Sequence, residues 1–430
     1  MNLQVVPHSN TPNPLELDAF LYGFQNAVMQ FDSVFPSQYR RSFQHSSLNA
    51  MISSVCSQSR LLLISGGQLC PLLVKKLLCF NGKCAVSNPL RLGISALSRR
   101  HSFDISQLRC QKSLAGHYHY STVHSIAFDS KDPNLFATSS SDGTGRLWQI
   151  SPNGSTTICV ATLNGHKYSV NSVAFHPKGP LLATASNDNT VRLWKISPKD
   201  WHFTVNCVAI LKDHSDWVNS VAFHTIESLL VSCCRDKFMK LWHVPPDGSE
   251  VTCVDTLEGH SDSVDSVAFD SKDKNLFATS SRDTTVRLWR VSPDLSKATC
   301  VDTLEGHSDC VFSAEFHKMA PLLATGSRDM SVRLWYVPPD CSKATCVANL
   351  DGQGYSVISL AFHPRVPILA ISSDKSAKLL RFSSDGSTAT CVATLEGHSS
   401  TVFSIAFHQT EPTVVTSSSY GTTKLWRLYR

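Results

Sequence analysis

The chain has 430 residues, 42% of them hydrophobic and 17% charged, with a formal net charge of +5 at pH 7. That length suits one large repeat domain plus an extension better than one simple core. Residues 1–105 hold nine Lys and Arg against four acidic residues, so the totals of 39 and 34 leave 30 of each sign in the remainder. A neutral remainder argues against a general nucleic-acid clamp.

The chain opens on an extension, residues 1–105. Asn13-Pro14 followed by LELDAFLYGFQNAVMQF predicts an amphipathic helix with Leu15, Phe20, Phe24, Val28 and Phe31 at helical spacing. From Ser33 to Phe103 there is no acidic residue and serine is abundant. The apolar run Leu61 to Phe80 is cut by Gly66-Gly67, Pro71 and Lys75-Lys76, so no membrane span is expected. A basic start leading into an apolar run is lacking, so neither is a secretory signal. The favoured reading is a low-order or weakly helical tail. A partner-binding helix, an organelle-targeting segment and translated leader sequence stay open beside it, and an F-box-like helical module has only a faint echo between Asn13 and Arg60.

The remainder, residues 106–430, is periodic. The stretch Asp255 to Val291 recurs as seven copies at a spacing of about 46 residues. Each copy reads as four short strands, in copy four Val264–Phe269, Asn275–Ser280, Thr284–Val291 and Ala298–Leu304, separated by polar turns. Leu108 to Leu114 has the outer-strand pattern of Thr252 to Leu257, although it precedes the first full copy.

Within the period, histidine recurs at His117, His166, His214, His260, His307 and His398, with Gln353 in the sixth copy. Tryptophan recurs at Trp148, Trp194, Trp242, Trp289, Trp335 and Trp426, with Leu380 in the sixth. Six residues before each lies Asp142, Asp188, Asp236, Asp283, Asp329 or Asp374, replaced in the last copy by Tyr420. Four residues earlier stands a hydroxyl, Thr138, Thr184, Ser232, Thr279, Thr325 or Thr416, and Ala370 in copy six.

On these residues the chain resembles the WD-repeat family of β-propellers, over about Ser106 to Arg430. The residue after each tryptophan is never aspartate, a uniform departure from the family pattern. The resemblance implies an all-β, seven-bladed propeller, closed where Leu108 to Leu114 supplies the last blade with its fourth strand and removes an exposed edge. It also implies that His, Ser/Thr, Asp and Trp of each repeat form a hydrogen-bonded structural tetrad: an indole only donates, a hydroxyl accepts from it, and a histidine bridges hydroxyl to carboxylate. Blade six is expected to lack that network and to be the most mobile. Seven near-identical catalytic sites in one ring make little chemical sense, so no catalytic residue is assigned.

Fifteen cysteines do not make a metal or disulfide framework here. Cys110, Cys159, Cys207, Cys253, Cys300, Cys346 and Cys391 are one repeat position copied seven times, expected to be small fillers of the outer strand. Cys233-Cys234, Cys310 and Cys341 lack metal-ligand spacing, and Cys70, Cys79 and Cys84 form no CxxC pair. No metal or cofactor is expected, and reduced thiols fit an intracellular protein, cytoplasmic or nuclear.

Function must then lie on the surfaces. In the family, one face carries the residue before each tetrad aspartate and two residues of the innermost strand. Carried over, these include Arg235, Arg282 and Arg328 in blades three to five, beside Trp217, Asp265, Phe312 and Phe403. Tryptophan and arginine are enriched among interface hot spots, and the guanidinium fork suits carboxylate or phosphate. The expected function is a non-catalytic scaffold for protein partners, with acidic or phosphorylated peptides as the ligand class and a monomeric ring inside a larger complex. The bland alternative for each arginine is a solvated turn residue paired locally, as Arg282 with Asp265. A substrate receptor of a ubiquitin ligase is the functional alternative, and a subunit of a chromatin or RNA-processing complex the second. A specific nucleic-acid partner is not expected.

Overall fold

The computed structural model describes residues 108–428 apart from 119, 153, 200, 201, 274, 341, 342 and 384–387. The helix expected after Pro14 therefore lies outside the described residues. Among the described residues, 28 strands form seven four-stranded antiparallel sheets. Blade one is β2 (Val123–Phe128), β3 (Leu135–Ser140), β4 (Thr144–Ile150) and β5 (Thr157–Asn164), in that order from the innermost strand outward. The other blades repeat this arrangement.

The strands form where the sequence alternates or runs apolar. In copy four the third strand is shorter than expected, Val286–Val291, because Thr284 sits in the preceding turn with φ of 70°. The second strand of each of blades one to five and seven is buried along its whole length, since it has a strand on either side and a neighbouring blade against each face.

Apart from a small cluster of Ala320, Leu322, Tyr336 and Val347 inside blade five, the cores among the described residues lie between blades. One hydrophobic cluster joins blades two and three through Leu193, Val221, Phe223 and Trp242, and corresponding clusters join the other pairs. Each buried indole removes about 200 Å² from water, or roughly 5 kcal/mol before entropy is counted. A blade thus depends on its neighbours for most of its stability.

Closure follows from the same need. β1 (Leu108–Ala115) pairs antiparallel with β28 (Thr422–Leu428), from Leu108 opposite Leu428 to Ala115 opposite Thr422. The last blade is therefore built from both ends of the ring, and Leu114 joins Trp148, Ile150 and Leu425 in the core between blades seven and one.

A second set of inter-blade contacts runs around the inner strands. His176, His317 and His408 each follow a strand-ending phenylalanine and accept two backbone N–H groups on Nδ1, His176 from Lys178 and Gly179. Their rings meet the phenylalanine of the next blade edge-on: His176 to Phe223 at 4.9 Å, His317 to Phe362 at 4.8 Å and His408 to Phe128 at 5.3 Å.

Blade six departs from the pattern. Its inner strand is only Leu360–Phe362, and Leu380, in the tryptophan register, is buried with Phe382 in the core between blades five and six. Gln353 donates to the Leu350 carbonyl instead of joining a side-chain network.

Candidate functional site

Two loops meet at one end of every blade. In blades one to five the loop entering the inner strand carries the histidine, and the tight turn between the second and third strands carries the aspartate. In blade four His260 Nδ1 lies 2.8 Å from Asp283, His260 Nε2 lies 2.8 Å from Thr279 Oγ1, and Trp289 Nε1 donates to that same oxygen at 2.9 Å. With the indole as donor, the threonine hydroxyl keeps its own proton to give to Nε2, an assignment that places the imidazole proton on Nδ1, facing the carboxylate.

Blades one, two, three and five make the same bonds with His117, Thr138, Asp142 and Trp148; His166, Thr184, Asp188 and Trp194; His214, Ser232, Asp236 and Trp242; and His307, Thr325, Asp329 and Trp335. In blade seven Thr422 takes the aspartate's place, 3.2 Å from His398 Nδ1. Burial alone would raise the Asp142 carboxyl, yet the His117 and Thr144 hydrogen bonds hold it well below the usual carboxylate range. The network is an internal brace that fixes both loops, so the side chains those loops turn outward are held in place.

The braced loops set the sequence-predicted face. The backbone N–H of Arg235 donates to Trp217 at 2.9 Å, that of Arg282 to Ser263 at 2.9 Å and that of Arg328 to Cys310 at 2.8 Å. Arg235 lies over the Trp217 ring, 4.7 Å from guanidinium carbon to centroid, with Nε 3.8 Å from Asp216. Arg282 Nε reaches Asp265 at 3.0 Å, and Asn219 and Ser263 donate to that carboxylate as well. Burial pushes the Asp265 carboxyl up, and the adjacent Arg282 offsets only part of that effect. Arg328 turns to Asp309 at 3.7 Å. Phe312 and Phe403 are half-buried on the inner strands, and Phe403 meets His124 edge-on at 5.6 Å.

The structure thus joins Trp217 with Arg235 and Asp265 with Arg282. It gives each of the three arginines a local acidic neighbour, so the patch is electrically balanced rather than strongly positive. Sequence reasoning named Trp217, Phe312 and Phe403 but missed the tyrosines of this face. Tyr118 and Tyr120 are both 73% exposed, and Tyr168, Tyr355 and Tyr420 also stand out of these loops, with Tyr120 edge-on to Tyr420 at 5.6 Å. The available signal was positional: an aromatic within three residues after the histidine register in copies one, two, three and six.

Two expectations about cysteine change. The seven repeated thiols are exposed, not fillers: they stand on the outermost strand of each blade, beyond which no layer lies among the described residues. Each Sγ turns onto a backbone carbonyl two residues on, as Cys159 does onto Ala161 at 3.4 Å. Cys234, without ligand spacing in the sequence, sits in space beside His214 and Asp236.

The inner-strand register of Ala127, Ala174, Ala222, Ala268, Ala361 and Ala406 holds Glu315 in blade five. It borders a cavity of about 240 Å³ with Lys318, Phe362 and Gln409, and burial pushes its carboxyl up to about 7. Among the described residues, no helix is long and apolar enough to cross a membrane.

Comparison with known proteins agrees with this architecture. The model of the WD domain, G-beta repeat, matches residues 108–149, 157–195, 205–243, 251–290, 298–336, 344–379 and 389–427. The chain is 40% identical over 70 residues to coatomer subunit beta' of Drosophila melanogaster, a stretch that is 16% of this chain and 7% of that protein. It is 41% identical over 69 residues to the probable coatomer subunit beta' of Caenorhabditis elegans, covering 16% and 6%. It is 30% identical over 79 residues to the Polycomb protein EED of Chaetomium thermophilum, covering 18% and 14%. The matched stretches are thus small parts of those relatives. The seven matched segments, one for each blade, make this chain a member of the WD domain, G-beta repeat family.

Proposed function

We propose that the ring is a non-catalytic scaffold that assembles a multiprotein complex, and that the face carrying the histidine loops is where a partner docks. The carrying observation is where exposed apolar surface collects. Of thirteen large hydrophobic residues exposed among the described residues, eight stand on this face: Tyr118, Tyr120, Tyr168, Trp217, Phe238, Met330, Tyr355 and Tyr420. Tyrosine and tryptophan on rigid loops, with arginine beside them, have the composition of an interface hot spot.

The ligand class is a peptide with acidic or phosphorylated side chains. Arg235 and Arg328 are 47% and 62% exposed, and their pairs with Asp216 and Asp309 are long. Exposed pairs of that kind are worth about 0–1 kcal/mol, so a bound carboxylate or phosphate exchanges for them at little cost. The coatomer relatives are named as subunits of a larger assembly, which supports the scaffold reading only through a short shared stretch.

The test is an affinity pull-down with the full chain beside a variant carrying Arg235→Glu, Arg282→Glu and Arg328→Glu, after melting curves show that both are folded. Partners retained by the native chain and lost by the variant are expected. Identical partners in both samples would remove the arginines from the docking surface.

A further inference from the structure

Blade three differs from its neighbours at two positions of a shared register. Where blades one, two, four, five and seven place Ser140, Ser186, Ser281, Ser327 and Ser418, it places Cys234. Where blades one, two, four and five follow the aspartate two residues on with Thr144, Thr190, Thr285 and Ser331, it places Phe238. Those hydroxyls donate to the aspartate at 2.6 to 2.7 Å. Asp236 keeps the backbone N–H bond that all five blades make to that oxygen, here from Phe238 at 3.0 Å, and lacks the hydroxyl.

The substitutions bring three different donor types together. His214 Nδ1, Cys234 Sγ and an Asp236 carboxylate oxygen all lie within 4.8 Å of one another. Cys234 is fully buried, and the Asp236 side chain is 8% exposed. The His214–Asp236 separation is also distinct, 3.3 Å against 2.8 to 2.9 Å in blades one, two, four and five.

We propose that blade three holds a divalent transition-metal ion, zinc by preference, on His214 Nδ1, Cys234 Sγ and the Asp236 carboxylate, with water at a fourth position on the exposed side of Asp236. Tetrahedral zinc with bonds of about 2.0–2.1 Å to nitrogen and oxygen separates those two ligand atoms by about 3.3 Å. The longer His–Asp distance of blade three fits that geometry, whereas the shorter distances of the other blades fit a direct hydrogen bond. A thiolate among the donors selects against calcium and magnesium, which take oxygen ligands. One thiolate, one carboxylate and one divalent cation sum to zero charge, which suits a buried site.

The protons balance. Binding releases the Cys234 thiol proton to solvent and breaks its bond to the Asp216 carbonyl, 3.1 Å away, while the Asp236 backbone N–H at 3.3 Å goes on donating to the sulfur. His214 stays neutral, and its proton moves from Nδ1 to Nε2, which then donates to Ser232 Oγ, 2.7 Å away. That oxygen already accepts from Trp242 at 2.8 Å and has a second lone pair for Nε2. The metal would lock the loop that carries Trp217 to the turn that carries Arg235, a role independent of any docking partner.

The test uses the full chain, stripped with chelator and titrated with cobalt as a spectroscopic substitute for zinc, beside Cys234→Ser, which restores the serine of the other blades. The native chain is expected to take up one more equivalent than the variant and to show a thiolate-to-cobalt absorption band that the variant lacks. Crystals soaked in zinc, measured at its absorption edge, are expected to show an anomalous peak in blade three, a readout that stands even if the variant does not fold. Equal uptake by two folded proteins, or no anomalous peak between His214, Cys234 and Asp236, would overturn the proposal.

Discussion

The Arg235 guanidinium lies 4.7 Å over the Trp217 ring, and the backbone N–H of the same arginine donates to the carbonyl of the same tryptophan at 2.9 Å. The two residues are eighteen positions apart in the chain, and the His214–Asp236 brace beneath holds their loops together. A preformed cation–π pair with an exposed indole loses little side-chain freedom when a partner covers it. Trp217→Ala is therefore expected to weaken partner binding at least tenfold while leaving stability within about 0.5 kcal/mol. Calorimetric titration of a captured partner and a denaturant melt check the two halves.

The tetrads predict a contrast between blades. His260→Ala leaves Thr279 and Asp283 without their bridge, and a buried polar group without its partner costs about 1–3 kcal/mol. Gln353→Ala in blade six removes one bond to a backbone carbonyl and is expected to cost under about 1 kcal/mol. Urea unfolding of the two variants gives the comparison. Hydrogen exchange is expected to be fastest in blade six, whose inner strand has three residues against six in its neighbours.

Backbone strain predicts a gain. Thr284 follows a tetrad aspartate with φ of 70°, at the position where blades one and seven use Gly143 and Gly421. A β-branched residue in the left-handed region is strained. Thr284→Gly is expected to stabilise the ring by up to about 1 kcal/mol, the strain relief exceeding glycine's entropic cost. A rise in thermal midpoint confirms it.

Acid is expected to act in two stages. Burial depresses the His176 and His317 imidazoles from 6.5 to about 4. The unfolded chain therefore takes up these protons first, and stability falls as pH drops from about 6.5 to about 4, by roughly 1–3 kcal/mol per histidine. The depressed tetrad carboxylates, such as Asp283, contribute stability that is present above 3.8 and lost below it. Glu315 has the opposite sign: its raised carboxyl costs stability as pH climbs from 4.5 to about 7. Glu315→Gln is thus expected to gain more at pH 8 than at pH 5, as read from unfolding midpoints across that range.

Much of this was legible in the sequence because strand pairing and brace repeat at fixed register. Val264–Phe269 is an inner strand as read, and β1 closes the ring against β28. The surface was legible only in part. Tyr118 and Tyr168 sit in loops whose side chains follow no alternation, so their exposure on one face emerges only once the loops are braced. Asp216 and Asp309 carry a charge pattern that looks like ordinary solvated turn, yet they neutralise the arginines. The seven rim cysteines were misread because periodicity marks equivalence and not burial. Cys234 stood visibly in a serine register, but its approach to His214 spans two loops and needed the fold.

Photo-crosslinking of the full chain in cell extract tests most directly whether partners dock on the face of the histidine loops. A crosslinking residue is placed in turn at Tyr168 on that face, at Met319 on the opposite face and at Ile158 on the outer strand, all three exposed by 53% or more. One dominant partner adduct is expected from Tyr168, diminished by the Arg235, Arg282 and Arg328 reversal. Adducts from Met319 or Ile158 with none from Tyr168 would contradict it.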